Sequence, residues 1–368
     1  MFDRQSEVGK KEVQLRQLAL QLGLDGFCLS RAINFSWFTG GGTNRVVTGS
    51  ETGAAALVIL QDKKFIVAPR NEMPRMLEEQ VVGLGFEPCI YEWYENREQV
   101  VRTLIGEKKV GSDIPFANLE AFGNEINPLR YSLTTEEIEK VRWLGDVCSR
   151  EAVATSLAIQ PGMTEWEISA DLTFRLEKLG VRCPVLLVGV DHRALQYRHP
   201  VVSDNILKNY ALIALVAEKW GLHMALTRCV HFGPVPKPLA KYHQIATDVE
   251  AAFLSACAAG ADSQTSFEAG LAAYAQAGLP EEWKLHHQGG PTGYQSREYR
   301  CGEGRPEPYH DNQLLAWNPT VQGTKCEDTV LYKKDGSLEF LTSVPSWWPT
   351  TKRTINGKTV LRPLILER

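Results

Sequence analysis

The chain reads as an α+β protein in two parts, a smaller α/β domain over residues 1–128 and a larger α+β domain over residues 129–368. Three observations predict this. A chain of 368 residues exceeds what one ordinary core organises, so two domains are expected. The first third alternates helical and strand patterns, as an α/β unit does. The remainder runs two helices, strands, two helices, strands, the order of a mostly antiparallel sheet backed by helices. That order is compatible with an internal duplication, although no repeat of sequence marks one.

Leu15, Leu18, Ala19 and Leu22 fall at helical spacing, and Gly23 closes that helix. Residues 26–30 form a short apolar strand, and 54–60 and 64–68 make two more around Gln61-Asp62-Lys63, a hairpin signal. A helix is expected over 72–84, ended by Gly85, followed by a strand at 87–91, a helix at 97–105 and a strand at 110–113. Asn127-Pro128 marks the boundary. Thr134 with Glu137 three residues on makes a capping box. Behind it Ile138, Val141, Gly145, Cys148 and Ala152 line one face of a long helix that Pro161-Gly162 stops. Thr164 with Glu167 caps the next helix, which runs to about residue 179. Strands are expected at 185–189, 211–217, 222–227, 314–317, 329–332 and 338–341, with helices at 239–259 and 267–277.

An apolar content of 43% with 23% charged residues is that of a soluble globular protein. A net charge of -4 lends no support to a nucleic-acid or anionic-membrane partner. No apolar run approaches the roughly eighteen residues of a membrane span. Met1-Phe2-Asp3-Arg4-Gln5-Ser6-Glu7 carries no apolar signal segment, so none is expected. The eight cysteines are scattered without a CxxC pair, which disfavours a zinc ribbon or a disulfide framework and fits a cytoplasmic location.

The densest chemistry lies in Leu285-His286-His287-Gln288-Gly289-Gly290-Pro291-Thr292-Gly293-Tyr294. Histidine suits proton transfer or metal binding near neutral pH, and glycine lets backbone approach a ligand. The stretch reads either as the floor of a site or as a tight turn after a buried strand.

Four blocks of the second part occur in the order found in the creatinase and aminopeptidase P family of "pita-bread" proteins, which includes prolidase and methionine aminopeptidase. Asn34-Phe35-Ser36-Trp37-Phe38-Thr39-Gly40-Gly41 looks like the family's N-terminal NixYlTG segment. Glu136-Glu137-Ile138 and Gln160-Pro161-Gly162-Met163-Thr164-Glu165 resemble the opening of its catalytic domain. The resemblance spans about residues 10–335, and the order of the motifs carries it more than any one of them. It implies a pita-bread domain preceded by a creatinase-type N-terminal domain.

The family's peptidases hold two metal ions with two Asp, one His and two Glu, which activate a water for amide hydrolysis. The Asp pair belongs to DxG followed by GYxxDxTR. Here Gly221 and Thr227-Arg228 keep that register, and the Asp places read Ala214 and Ala225. HxxGHGIG aligns with residues 286–293, and its ligand place is Gly290. The EP dipeptide reads Asn318-Pro319, and Glu327 in Glu327-Asp328-Thr329 is the one ligand kept. A single carboxylate cannot hold two divalent ions, so no metal and no cofactor is expected. A rearranged single ion on His286 or His287 with Glu327 is the disfavoured alternative.

Creatinase has this fold and hydrolyses a C–N bond without metal, with a histidine as acid and base. His199, in Tyr197-Arg198-His199-Pro200, resembles that histidine; the competing reading is a loop histidine bonded to backbone carbonyls. Glu327 would orient it or bind a cationic group, and needs a buried partner such as Arg228 or His286. Strand alternation puts His286 and His287 on opposite faces, with His286, in parity with Gly290, facing in. Gly290-Pro291 would open the space of the missing imidazole. Arg297, where the peptidases tend to have a second catalytic histidine, would grip a carboxylate or pair with Glu298 at the surface.

The expected catalytic set is therefore His199, Glu327 and His286. The substrate-contact set is His287, Gln288, Gly290, Tyr294, Arg228, Arg297 and Asn318. Trp283, Tyr294 and Trp317 read as core before pocket wall. Three functions follow. The first is a metal-independent hydrolase or lyase of a small C–N-containing molecule. The second is a non-catalytic binder of a small molecule or short peptide. The third is a metallo-aminopeptidase, against which Ala214, Ala225, Gly290 and Asn318 speak. The resemblance also implies a homodimer.

Overall fold

The computed structural model describes residues 3–302, 304 and 306–368. The chain forms two compact units. One takes residues up to Glu139 with the turn Trp220–Leu222, and the other takes Lys140–Lys219 and His223–Arg368. Asn127-Pro128 lies in a 3-10 turn, Asn127–Arg130, within the first unit, and the division falls inside the long helix Thr135–Ala158.

The first unit holds a five-stranded sheet in the order Glu87–Tyr91, Lys64–Pro69, Thr52–Leu60, Gly26–Arg31, Val110–Ser112. Cys28, Ala56, Val58, Val67, Val101 and Ile105 share one core across it. Asp113 ends the last strand and accepts from Ser30 N (2.8 Å), Arg31 N (2.9 Å) and Asn34 Nδ2 (2.8 Å). Those bonds tie the buried helix Ala32–Phe38 to the sheet.

The helix expected over 72–84 is shorter. A turn at Met73–Arg75 passes into a wide-turn helix, Met76–Gln80, closed by a bond from Val81 N to the Met76 carbonyl. Gly83 already adopts the left-handed conformation (φ 73°), two residues before Gly85, where the chain was expected to stop.

In the second unit the strands Arg182–Val190, Tyr210–Lys219, Leu222–His231 and Leu366–Glu367 form one sheet. Gly289–Thr292, Gln313–Trp317, Val330–Tyr332 and Leu338–Phe340 form another. The capping box of Thr164 and Glu167 is made in both directions and starts the helix Glu165–Glu177. The two later helices are Lys237–Ser255 and Ser263–Gln276, not 239–259 and 267–277. The second begins four residues early because Asp262 caps it, accepting from Thr265 N at 2.7 Å. Phe253 stacks on Trp317 with ring centroids 4.3 Å apart, packing helix against sheet. The hairpin Thr350–Ile355/Lys358–Pro363 was not foreseen.

Candidate functional site

Arg182–Val190 pairs antiparallel with Tyr210–Lys219, with Val185 opposite Val216 and Leu187 opposite Ala214. Successive residues of a strand point to opposite faces, so these four share one face. They floor a cavity of about 140 Å³. Ser296, Arg297, Asn318, Lys325 and Glu327 line it opposite, and His199 and His287 complete it.

Glu327 is 2% exposed and fully engaged. It accepts from Thr227 Oγ1 (2.8 Å), and it pairs with Lys325 Nζ (2.9 Å) and Arg297 Nη2 (3.3 Å). Burial pushes its carboxyl up, but Lys325 and Arg297 beside it hold it below the usual carboxylate range. Asp328 turns the other way, to Arg228 Nη2 (2.8 Å), Arg362 Nη2 (2.6 Å) and Thr342 Oγ1 (2.5 Å). Arg362 also grips Glu250 at 2.6 and 2.7 Å. The surviving carboxylate therefore rests on a buried ionic layer.

The imidazoles gather. His199 Nε2 and His286 Nε2 are 3.0 Å apart, and the rings of His286 and His287 stack with centroids at 4.4 Å. One ligand nitrogen from each of the three lies within 4.8 Å of the others. Burial, then Lys325, pushes His199 below its ordinary range. The same causes push His286 down, and burial with Arg297 and Lys325 takes His287 down to about 4. All three are thereby pushed toward the neutral form. Of the nearby cations, Arg198 is bonded to Glu282 at 2.5 Å.

Several expected contacts are placed differently. His287, not His286, lines the cavity, and both reach His199. Strand alternation does not apply to them, because the ladder begins only at Gly289 (φ 85°). Gly290 opens no space: at φ 119° its backbone disfavours a side chain, and a Cβ there would come 2.6 Å from Cys301 Sγ. Arg228 faces the buried layer, bonding Asp328, while Thr227 before it bonds Glu327. Gln288 braces the turn, donating to the His286 carbonyl (2.5 Å) and accepting from Tyr274 (2.9 Å). Tyr294 is fully buried and outside the cavity lining, as is Trp317. Arg297 meets Glu327 rather than Glu298, whose carboxylate accepts from Tyr294 N. Asn318 lines the cavity, and its buried Oδ1 has no hydrogen-bond partner.

Lys325 and Ser296 were missed. Lys325 stands in a short strand, Thr324–Lys325, two residues before Glu327, and the one signal that could have found it is a cation so near a carboxylate that must be paired. Two larger hollows, of about 630 and 440 Å³, contain none of the candidate residues.

Two families of sequence match. Metallopeptidase family M24 matches residues 139–334, and the Creatinase/Prolidase N-terminal domain matches residues 13–143. The chain belongs to the M24 family, with a creatinase-type N-terminal domain ahead of a pita-bread domain. It is similar in fold to dipeptidase PepE from Mycobacterium ulcerans, at TM-score 0.77 and 18% identity, over 94% of this chain and 97% of that one. The X-Pro aminopeptidase from Thermotoga maritima MSB8 gives TM-score 0.77 and 18% identity over 97% and 99%. The prolidase from Pyrococcus horikoshii OT3 gives 0.77 and 16% over 91% and 99%. No curated protein matches the chain. Among the described residues no helix is long and apolar enough to cross a membrane.

Proposed function

We propose that this chain hydrolyses a C–N bond in a small carboxylate-bearing molecule without the family's two-ion centre, with His199 as acid and base. The observation that carries this is the His199–His286 contact at 3.0 Å, beside a cavity whose carboxylate is already neutralised by the protein. The donor set does not fit two divalent ions. Ala214, Ala225 and Gly290 offer no ligand atom, Asn318 offers one neutral oxygen, and Lys325 and Arg297 stand against Glu327 as protein cations. With Cys301 against Gly290, an imidazole has no room there either.

The same charges point to the substrate. Lys325, Arg297 and Glu327 sum to one positive charge, and Arg297 has a buried Nε without a partner. A small carboxylate suits them, with the apolar floor of Val185, Leu187 and Val216 beneath its carbon skeleton. In the tautomer where His199 donates Nε2–H to His286, its basic nitrogen is Nδ1. That nitrogen takes a proton from water as the oxygen bonds to the acyl or amidine carbon. The proton then passes to the departing nitrogen as the C–N bond breaks. General acid–base transfer of this kind contributes about 10²–10⁴-fold.

Turnover of carboxylate-bearing amides and guanidines by chelator-treated protein tests the reading. We expect hydrolysis that survives chelation and falls by about 10²-fold or more in His199→Ala. Full turnover in that variant would sink the mechanism. Ligand binding with no turnover of any such compound would instead favour a binding protein that has lost its chemistry.

A further inference from the structure

We infer that His199, His286 and His287 together bind one imidazole-preferring divalent ion, of the class of Zn²⁺, Ni²⁺ and Cu²⁺, away from the family's carboxylate positions. The three come from two separate segments, a loop before the strand Tyr210–Lys219 and the turn before Gly289–Thr292. Their ligand nitrogens already lie within 4.8 Å of one another. Tetrahedral zinc with nitrogen ligands at about 2.0–2.1 Å needs nitrogens about 3.4 Å apart. The His199–His286 pair at 3.0 Å needs only a small opening, with the ion replacing the hydrogen now shared between the two Nε2 atoms. His199 and His287 are exposed, so their rings can close the remaining distance, while His286, 7% exposed, serves as the anchor. The buried Nδ1 of His286 has no hydrogen-bond partner, so the tautomer of this ring is set by its Nε2 contact with His199, the contact the ion replaces.

The chemistry of the donors selects the ion. Three neutral imidazoles with no carboxylate among them suit borderline metals and offer nothing to Mg²⁺ or Ca²⁺, which need oxygen ligands. The surrounding charge opposes a cation only mildly. Lys325 and Arg297 are paired with Glu327, and Arg198 with Glu282, which leaves one net positive charge among five groups. Three protein ligands leave a position for water.

The binding itself does not rest on the proposed hydrolysis, but one consequence does: an ion on His199 Nε2 leaves that ring's proton on Nδ1, which removes the base, so the ion inhibits. The test is titration of the chelator-stripped full chain with Zn²⁺, Ni²⁺ and Cu²⁺ by calorimetry, with Cu²⁺ electron paramagnetic resonance. We expect one ion per chain, nitrogen hyperfine structure from imidazole, no response to Mg²⁺, and at least tenfold weaker binding in His287→Ala and in His199→Ala. Two ions per chain, or an affinity that neither variant changes, would overturn the site. One ion bound by a protein that turns over nothing would leave the site standing and remove the hydrolase reading.

Discussion

At the scale of the residue, Gly290 and Glu327 explain why the pocket differs from what its motifs suggest. A missing imidazole leaves a hole only if the backbone keeps its conformation. Here φ of 119° and the Cys301 thiol close it. Gly290→Ala should therefore destabilise the protein by about 1–3 kcal/mol in urea titration, a left-handed strain that Cys301→Ala relieves only in part. Gly290→His should fail to create tight Mn²⁺ or Co²⁺ binding. Glu327 is itself buried and is the counter-ion of the buried Lys325 and the half-buried Arg297, so Glu327→Gln should cost about 3–5 kcal/mol of stability by the same titration. A cost below about 1 kcal/mol would mean that water reaches the pair. Glu327 itself was legible in the sequence, but its partners were not: Arg228 and His286 were the expected ones, yet Arg228 turns away to Asp328 and His286 to His199.

At the scale of the element, local signals worked where the local chain decides the outcome. The Thr164–Glu167 box is made as the spacing predicts, since both partners lie within one turn. Thr164→Ala should cost about 1 kcal/mol, and Asp262→Ala a similar amount, measured as shifts of the denaturation midpoint at constant slope. The helix Ser263–Gln276 starts four residues before the expected Phe267, because the Asp262 cap rather than the first apolar residue sets its first turn. Alternation failed at His286-His287 for a related reason. A period of two holds only inside a ladder, and this ladder starts at Gly289.

At the scale of the whole molecule, the neutral imidazoles give stability a pH dependence with a definite sign. Histidines whose folded pKa is lowered bind fewer protons in the folded than in the unfolded state. Their contribution is present above the unfolded value of about 6.5 and is lost as pH falls towards about 4, the value for His287. The thermal midpoint should drop between pH 7 and pH 5, and His287→Gln should flatten that drop. An unchanged slope in the variant would place the cause elsewhere. A homodimer is what the family resemblance implies; light scattering should then give a mass of twice 41.1 kDa.

The sequence by itself determined the family, the order of the two domains and most of the helices and strands. Those follow from motif order and from periodicities read over a few residues. It also determined which donor atoms exist along the chain. Only the tertiary structure decided what those atoms meet: Lys325 and Arg297 on Glu327, Cys301 against Gly290, and three imidazoles drawn from positions 87 residues apart or more in His199 and His286-His287. The reason is physical. Backbone conformation is set largely by neighbours in sequence, whereas the charge and space of a site are set by groups that the fold brings together from far along the chain.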